Sequence, residues 1–520
     1  MAVQTKGETP TGMKPTLGLT GVTINAMALI APGAFLWTTY QAQAAPGSAL
    51  NMWFSVLVAT VIALFTATAY ATLAKRYPEA GAGSSYYFAE ASVLHREEHR
   101  HFKFARLSKF IVGWASHLYY WVYPGVMVAF MGLLITYIIQ TFNPSFGTPL
   151  QQIIVCVVFA CIVGAIAYIG VTGSTLANIV INVIQIIALV FFSALAIIYR
   201  LQHPGVHYLH PSALSVITPH DLGGLIYQST IAILLVVGFE SATALAAEAK
   251  NPGRDIPRGV LLSLVIQAVI FYLLEYFAAN FFINTGYKSS AGTGFTAAFA
   301  SGAPIGDMAT ILGNTLLGGN GIAFATVMAL TVTIALIGTA LSCLNTGVRV
   351  TYAMGKDNEL PLVFGFLHGR FRTPHVGVIV LTAISAVIGS YGVLSIDKLT
   401  QVILISNIGT FLLYGMTCII CLIAFAGVAG RALYNTILAP VLGAVLNILM
   451  LIGVLYFAIA GGGNTQIDTL VAVGFCLVWL VIGFGFLYIR KLVTGVPVLH
   501  PEDYKAKSTT SAGSLVTETE

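Results

Sequence analysis

Hydrophobic residues in this chain come in long uninterrupted runs, not in strand-like alternation. The runs predict about twelve helices, near residues 17–40, 50–74, 109–140, 151–170, 174–199, 221–249, 258–283, 320–355, 374–394, 399–427, 433–460 and 466–490. Most reach the roughly 20 residues that cross a hydrocarbon core as a helix, about twice the length of a barrel strand. Backbone in a bilayer must satisfy its own hydrogen bonds. The pattern therefore predicts an all-α integral membrane protein.

Between the runs, residues 75–108 form the most charged stretch. Residues 1–16 read as a polar tail without a cleavable signal. The segment after Pro501 is polar and expected to be disordered.

Composition agrees with this division. Charged residues make up 8% of the chain, against about a quarter in a soluble domain, too few to cover an aqueous surface. The basic residues sort by position. If the N-terminus is cytoplasmic, all of the 24 Lys and Arg except Arg200, Lys288 and Lys398 fall at cytoplasmic ends and loops, as the positive-inside rule requires. The net charge of +5 then reflects topology in a cytoplasmic membrane, with both termini inside and no nucleic-acid partner. The six cysteines all lie within apolar runs, Cys418-x-x-Cys421 included, and are expected to be small buried side chains.

Two runs carry helix breakers near the middle. The first contains Ile30-Ala31-Pro32-Gly33-Ala34, and the sixth contains Val237-Gly238-Phe239-Glu240. Proline removes a backbone donor and glycine lowers the cost of unwinding. Unwound backbone at membrane depth is tolerated only where it is buried or lines a cavity. Matching interruptions in the two halves of a membrane protein point to a substrate site between them. Glu240 is an ionisable side chain at that depth, a functional candidate by default, and one that can change protonation as a site opens and closes.

Gly238-Phe239-Glu240-Ser241-Ala242, then Ala247-Glu248-Ala249-Lys250-Asn251-Pro252 and Asp255-Ile256-Pro257, resemble the sixth-helix signature of the amino acid–polyamine–organocation permeases. Tyr77-Pro78-Glu79-Ala80-Gly81, Arg349-x-x-Tyr352-Ala353-Met354-x-x-Asp357 and Asn407-Ile408-Gly409-Thr410 match more weakly. The resemblance implies two inverted five-helix repeats, with substrate held between broken helices one and six. It divides the chain into a tail (1–16), a ten-helix core (17–427), two additional helices (428–490) and a second tail (491–520). By the same resemblance Tyr123, Pro124, Cys343 and Asn407 fall on the pocket walls, and Phe239 acts as a gate.

The sequence departs from the family pattern in three places. Ala31-Pro32-Gly33 replaces the usual Gly-x-Gly, so a substrate carboxylate has to use amides such as those of Gly33 and Ala34. Gln185 stands where many members carry a lysine whose ammonium takes the place of sodium. Ala249 leaves Glu248 without the second acid of the usual pair.

The function implied is secondary active transport of an amino acid by alternating access, driven by a proton, a sodium ion or an exchanged solute. No cofactor and no obligatory protein partner are implied. The alternative is uptake of a polyamine or other organic cation. Pro32 favours it, and the lack of an acid near Tyr119 disfavours it. Glu275 is a second deep carboxylate without a supporting motif, and His117 belongs to an aromatic cluster. His95-Arg96-Glu97-Glu98-His99 fits a zinc-protease pattern but lies in a basic connecting segment, where a solvated loop is the simpler reading. No ATP-binding motif, pore loop or facing pair of catalytic groups accompanies it.

Overall fold

The computed structural model describes residues 16–494 except 32, 79–83, 97–101, 171–174, 358 and 372. Pro32, Glu79–Gly81, the Glu97–His99 part of the zinc-like pattern and the segment after Pro501 therefore lie outside the described residues.

Twelve helices among them are long and apolar enough to cross a membrane: Leu19–Gln43, Ala49–Arg76, Arg106–Phe142, Pro149–Ile169, Ile179–Gln202, Leu222–Ala246, Pro252–Phe282, Gly321–Lys356, His375–Gly392, Ile396–Phe425, Tyr434–Ala460 and Gly463–Val493. They are called the first to twelfth spans below, and they coincide with the expected runs to within a few residues. Spans one, three and six are the most enclosed, whereas the twelfth presents most of its surface outward. The broken helices thus lie in the middle of the bundle and the last span at its edge.

Both breaks fall where the sequence places them. The first span is α-helical over Leu19–Ile30, turns through left-handed backbone at Ala31 (φ 46°) and Gly33 (φ 77°), and resumes as Ala34–Gln43. The sixth runs as an α-helix over Leu222–Ala232, tightens to a 3-10 turn, and breaks at Gly238 (φ 116°). Its second half, Phe239–Glu248, is 3-10 rather than α-helical, a tighter winding found mostly in short pieces or at functional hinges. Hydropathy does not distinguish the two windings.

Two features between spans exceed the sequence reading. A hairpin pairing Lys288–Ser289 with Gly292–Thr293, followed by helices Phe295–Ala300 and Pro304–Leu316, forms a cap over the second half of the first span. Gln41 Nε2 donates to the Phe299 carbonyl at 3.2 Å, fixing cap to span. On the opposite side the charged 75–108 stretch contains helix Ser85–Arg96, packed on the third and tenth spans. There Lys109 Nζ lies 2.6 Å from both Glu90 and Asp357. Glu359 is buried beside this cluster, and burial pushes its carboxyl up to about 7. The cysteines are all free thiols; five are buried as expected, but Cys161 faces outward from the fourth span.

Candidate functional site

The two breaks rest against each other. A Cβ built on Gly238 would lie 3.0 Å from Leu29 Cγ and 3.2 Å from Ile30 Cγ1. Glycine therefore serves twice here, supplying the left-handed turn and letting sixth-span backbone approach the first span.

Unwinding frees backbone groups, and their partners define the site. The Gly238 N–H donates to Glu240 Oε2 at 3.0 Å, and the Gly238 carbonyl accepts from Ser241 Oγ at 2.6 Å. The same Glu240 oxygen accepts from the Tyr414 hydroxyl at 2.7 Å, and Tyr120 Oη lies 3.4 Å from Oε1. Glu240 is fully buried. It ties the break in the sixth span to the third and tenth spans, with no cationic side chain in the described ion pairs to balance it.

In the first span, the carbonyls of Ile30 and Ala31 both accept from the Tyr272 hydroxyl, at 3.0 and 2.8 Å. The Ala34 amide donates to the Ala31 carbonyl at 3.0 Å, so it is not free to receive a substrate carboxylate in this conformation.

Aromatic rings form the walls. Phe239 sits between Tyr70 and Tyr414, with ring centroids 5.9 and 5.2 Å away. Tyr123 packs against Phe35 at 6.2 Å and Tyr119 at 5.2 Å. The Tyr119 hydroxyl faces Glu240, and the Tyr123 hydroxyl and Ser406 Oγ are buried without a hydrogen-bond partner. Cys343 is buried within electrostatic reach of Glu240 and these tyrosines. Rings and unpaired hydroxyls around a carboxylate suit an ammonium group: π-faces attract cations, while phenol oxygens accept hydrogen bonds.

The remaining expected residues sort differently. Asn407 Nδ2 donates to the Thr230 carbonyl at 2.7 Å, clamping the tenth span to the sixth before its break. Pro124 lines a narrow crevice with Ala160 of the fourth span, Ala340 and Leu344 of the eighth, and Thr382 and Ser385 of the ninth. His117 packs between Trp114 and Trp121, with Nε2 3.1 Å from Thr351 Oγ1. Gln185 is fully buried in the fifth span with neither amide atom hydrogen-bonded. Val237 is buried directly before the break. A cavity of about 480 Å³ lies elsewhere, among the third span, Gln152 and the cap near Asp307.

Sequence reasoning missed Tyr414, Tyr70 and Tyr272. No motif marks them, because each reaches the breaks from a helix remote in sequence.

At one end the bundle is closed. The Thr16 and Leu17 amides donate to the Glu248 carbonyl at 2.9 Å, and the Lys250 amide donates to the Leu17 carbonyl at 2.8 Å. Arg349 adds an ion pair to Glu248 at 3.0 Å and reaches the Ala244 carbonyl at 3.2 Å. Two signature segments noticed separately in the sequence thus close on each other and on the start of the first span.

Paired helix breaks around a buried carboxylate, enclosed by an all-α bundle, define a multi-pass carrier built to expose one central site. The amino acid permease model matches residues 21–494, and the chain belongs to that family, whose members are transporters rather than enzymes. It is similar to the branched-chain amino acid permease BcaP of Bacillus subtilis, 24% identical over 78% of this chain and 81% of that protein. The mitochondrial cationic amino acid transporter 3 of Arabidopsis thaliana is 22% identical over 77% of this chain, which spans 61% of that protein. The low-affinity putrescine importer PlaP of Escherichia coli is 25% identical over 63% of this chain and 64% of that protein.

Proposed function

We propose that this protein carries an amino acid across the cytoplasmic membrane by alternating access, coupled to proton movement or to exchange. The observation that carries the reading is the seating of Gly238 on Leu29 and Ile30, with Glu240 holding the freed amide beside a wall of tyrosines. An α-ammonium has a carboxylate, π-faces and phenol oxygens to meet. An apolar side chain has Phe239 and Val237, and the permease relatives support the same class.

Residues 17–427 form the transport core in this account, the last two spans flank it, and both termini are cytoplasmic. The closed end where Arg349 meets Glu248 is then the inner gate. The second reading, an organic-cation importer, is favoured by Glu240 as the acid among the rings and by the putrescine-importing relative.

Glu240 is the coupling group in this account. In proteoliposomes, radiolabelled leucine should accumulate when a pH difference is imposed. Glu240→Gln should abolish the response to pH while the protein stays monodisperse. Active vesicles with unchanged pH dependence would exclude Glu240 from coupling.

A further inference from the structure

The seventh span reads the break in the first along one face. Gln267 Nε2 donates to the Met27 carbonyl at 2.8 Å, and the Tyr272 hydroxyl bridges the Ile30 and Ala31 carbonyls. Tyr276 donates to Gln43 Oε1 at 2.5 Å beyond the break. Between these contacts stands Glu275. A Cβ on Gly33 would lie 2.5 and 2.7 Å from its two carboxyl oxygens, so the broken backbone sits directly on this carboxyl.

Glu275 is fully buried, and neither oxygen has a hydrogen-bond partner. An isolated ionised carboxylate in such surroundings costs far more than a neutral acid, and it has no cation among the described ion pairs. The ionisable groups around it are hydroxyls: Tyr272 and Tyr276 on its own span, Tyr40 packed on Tyr276 from the first span, and Tyr123 reaching Tyr272 from the third. The fifth span presents Leu189 at Gly33, one turn from the uncharged Gln185. From the second span Trp53 donates to the Leu273 carbonyl. Arg200, at the far end of the fifth span, is committed to the carbonyls of Phe281 and His210. The segment before Glu275, Val265–Tyr272, is π-helical, a winding that recurs at functional sites.

We propose that Glu275 is a second proton carrier of the transport cycle, holding a proton while the first-span break is seated on it and exchanging that proton with water when the break lifts away. One O–H bond forms as the carboxylate takes a proton from water on one side. The same bond breaks when the proton is released on the other, so Glu275 moves one proton per cycle beside the one assigned to Glu240. Glu240 is held by the sixth span's own amide and by Tyr414, whereas Glu275 is covered by the first span. Movement of that span is therefore what uncovers it.

The inference rests on the transport reading, and the test separates the two. Full-length protein is reconstituted and assayed with labelled leucine, arginine and putrescine, first in counterflow at equal pH and then under an imposed pH difference. Glu275→Gln should lower pH-driven accumulation by about tenfold, within ordinary coupling free energies, and flatten the dependence of counterflow on pH. Parent protein that moves none of the three probes would overturn the transport reading. Parental counterflow with an unaltered pH response in Glu275→Gln would overturn this assignment alone, as would accumulation driven by sodium and lost in the variant. Should the variant fail to fold, unmodified protein is treated with dicyclohexylcarbodiimide, which modifies protonated carboxyls. Labelling of the Glu275 peptide should decline as pH rises; labelling independent of pH would contradict the proposal.

Discussion

Gly238 holds a conformation that side chains rarely adopt, at a point where the neighbouring helix leaves almost no space. Its amide is also the group that Glu240 fixes. Gly238→Ala adds backbone strain of about 1–3 kcal/mol and forces Leu29 aside. The variant should melt at a lower temperature and lose uptake of labelled leucine, with both measured on the same purified sample. An unchanged melting temperature with full uptake would show that the breaks need not touch. The charge on Glu240 matters differently, because its neighbours are mostly phenols. A group held by hydroxyls and one amide can gain or lose a proton without tearing apart an ion pair, and this suits it to coupling.

At the scale of helices, the closed end depends on backbone pairing between residues 16–17 and 248–250, with the Arg349–Glu248 pair at its edge. Both side chains of that pair are about a quarter exposed, so it contributes at most about 1 kcal/mol. Arg349→Ala should accordingly raise the population of the open state by up to about fivefold. Buried Cys343, between the breaks and this gate, is a natural reporter. In a Cys161→Ser background, a water-soluble maleimide should modify Cys343 faster in Arg349→Ala than in the parent. Equal rates would mean that the pair does not hold the gate.

The spans and both breaks were legible in the sequence, because apolar run length and Pro–Gly interruptions are local signals. The 3-10 winding beyond Gly238, the cap over residues 288–316 and the partners of the freed backbone groups were not. Tyr414 reaches Glu240, and Tyr272 reaches Ala31, across more than a hundred positions, which no local pattern records. The packing partners of Pro124 were not legible for a related reason. Alignment gives a position along the third span, but not which residues of the fourth, eighth and ninth spans meet it there. For Asn407, the amide nitrogen clamps the sixth span and leaves only the side-chain oxygen unpartnered.

For the whole molecule, two deep carboxyls stand at the two breaks, each fully buried. Glu240 belongs to the sixth-span break, and Glu275 lies against the break in the first. A bundle that rocks the first and sixth spans against the rest therefore changes the surroundings of both acids as it moves. The central claim is that an amino acid occupies the junction of the breaks and is carried when they move. Counterflow in proteoliposomes tests it most directly: vesicles loaded with an excess of unlabelled leucine are placed in trace labelled leucine at equal pH on both sides. The account predicts transient accumulation of label above equilibrium, which fails to appear when Gly238→Ala protein replaces the parent. Accumulation with putrescine as the exchanging solute, and none with leucine or arginine, would contradict it.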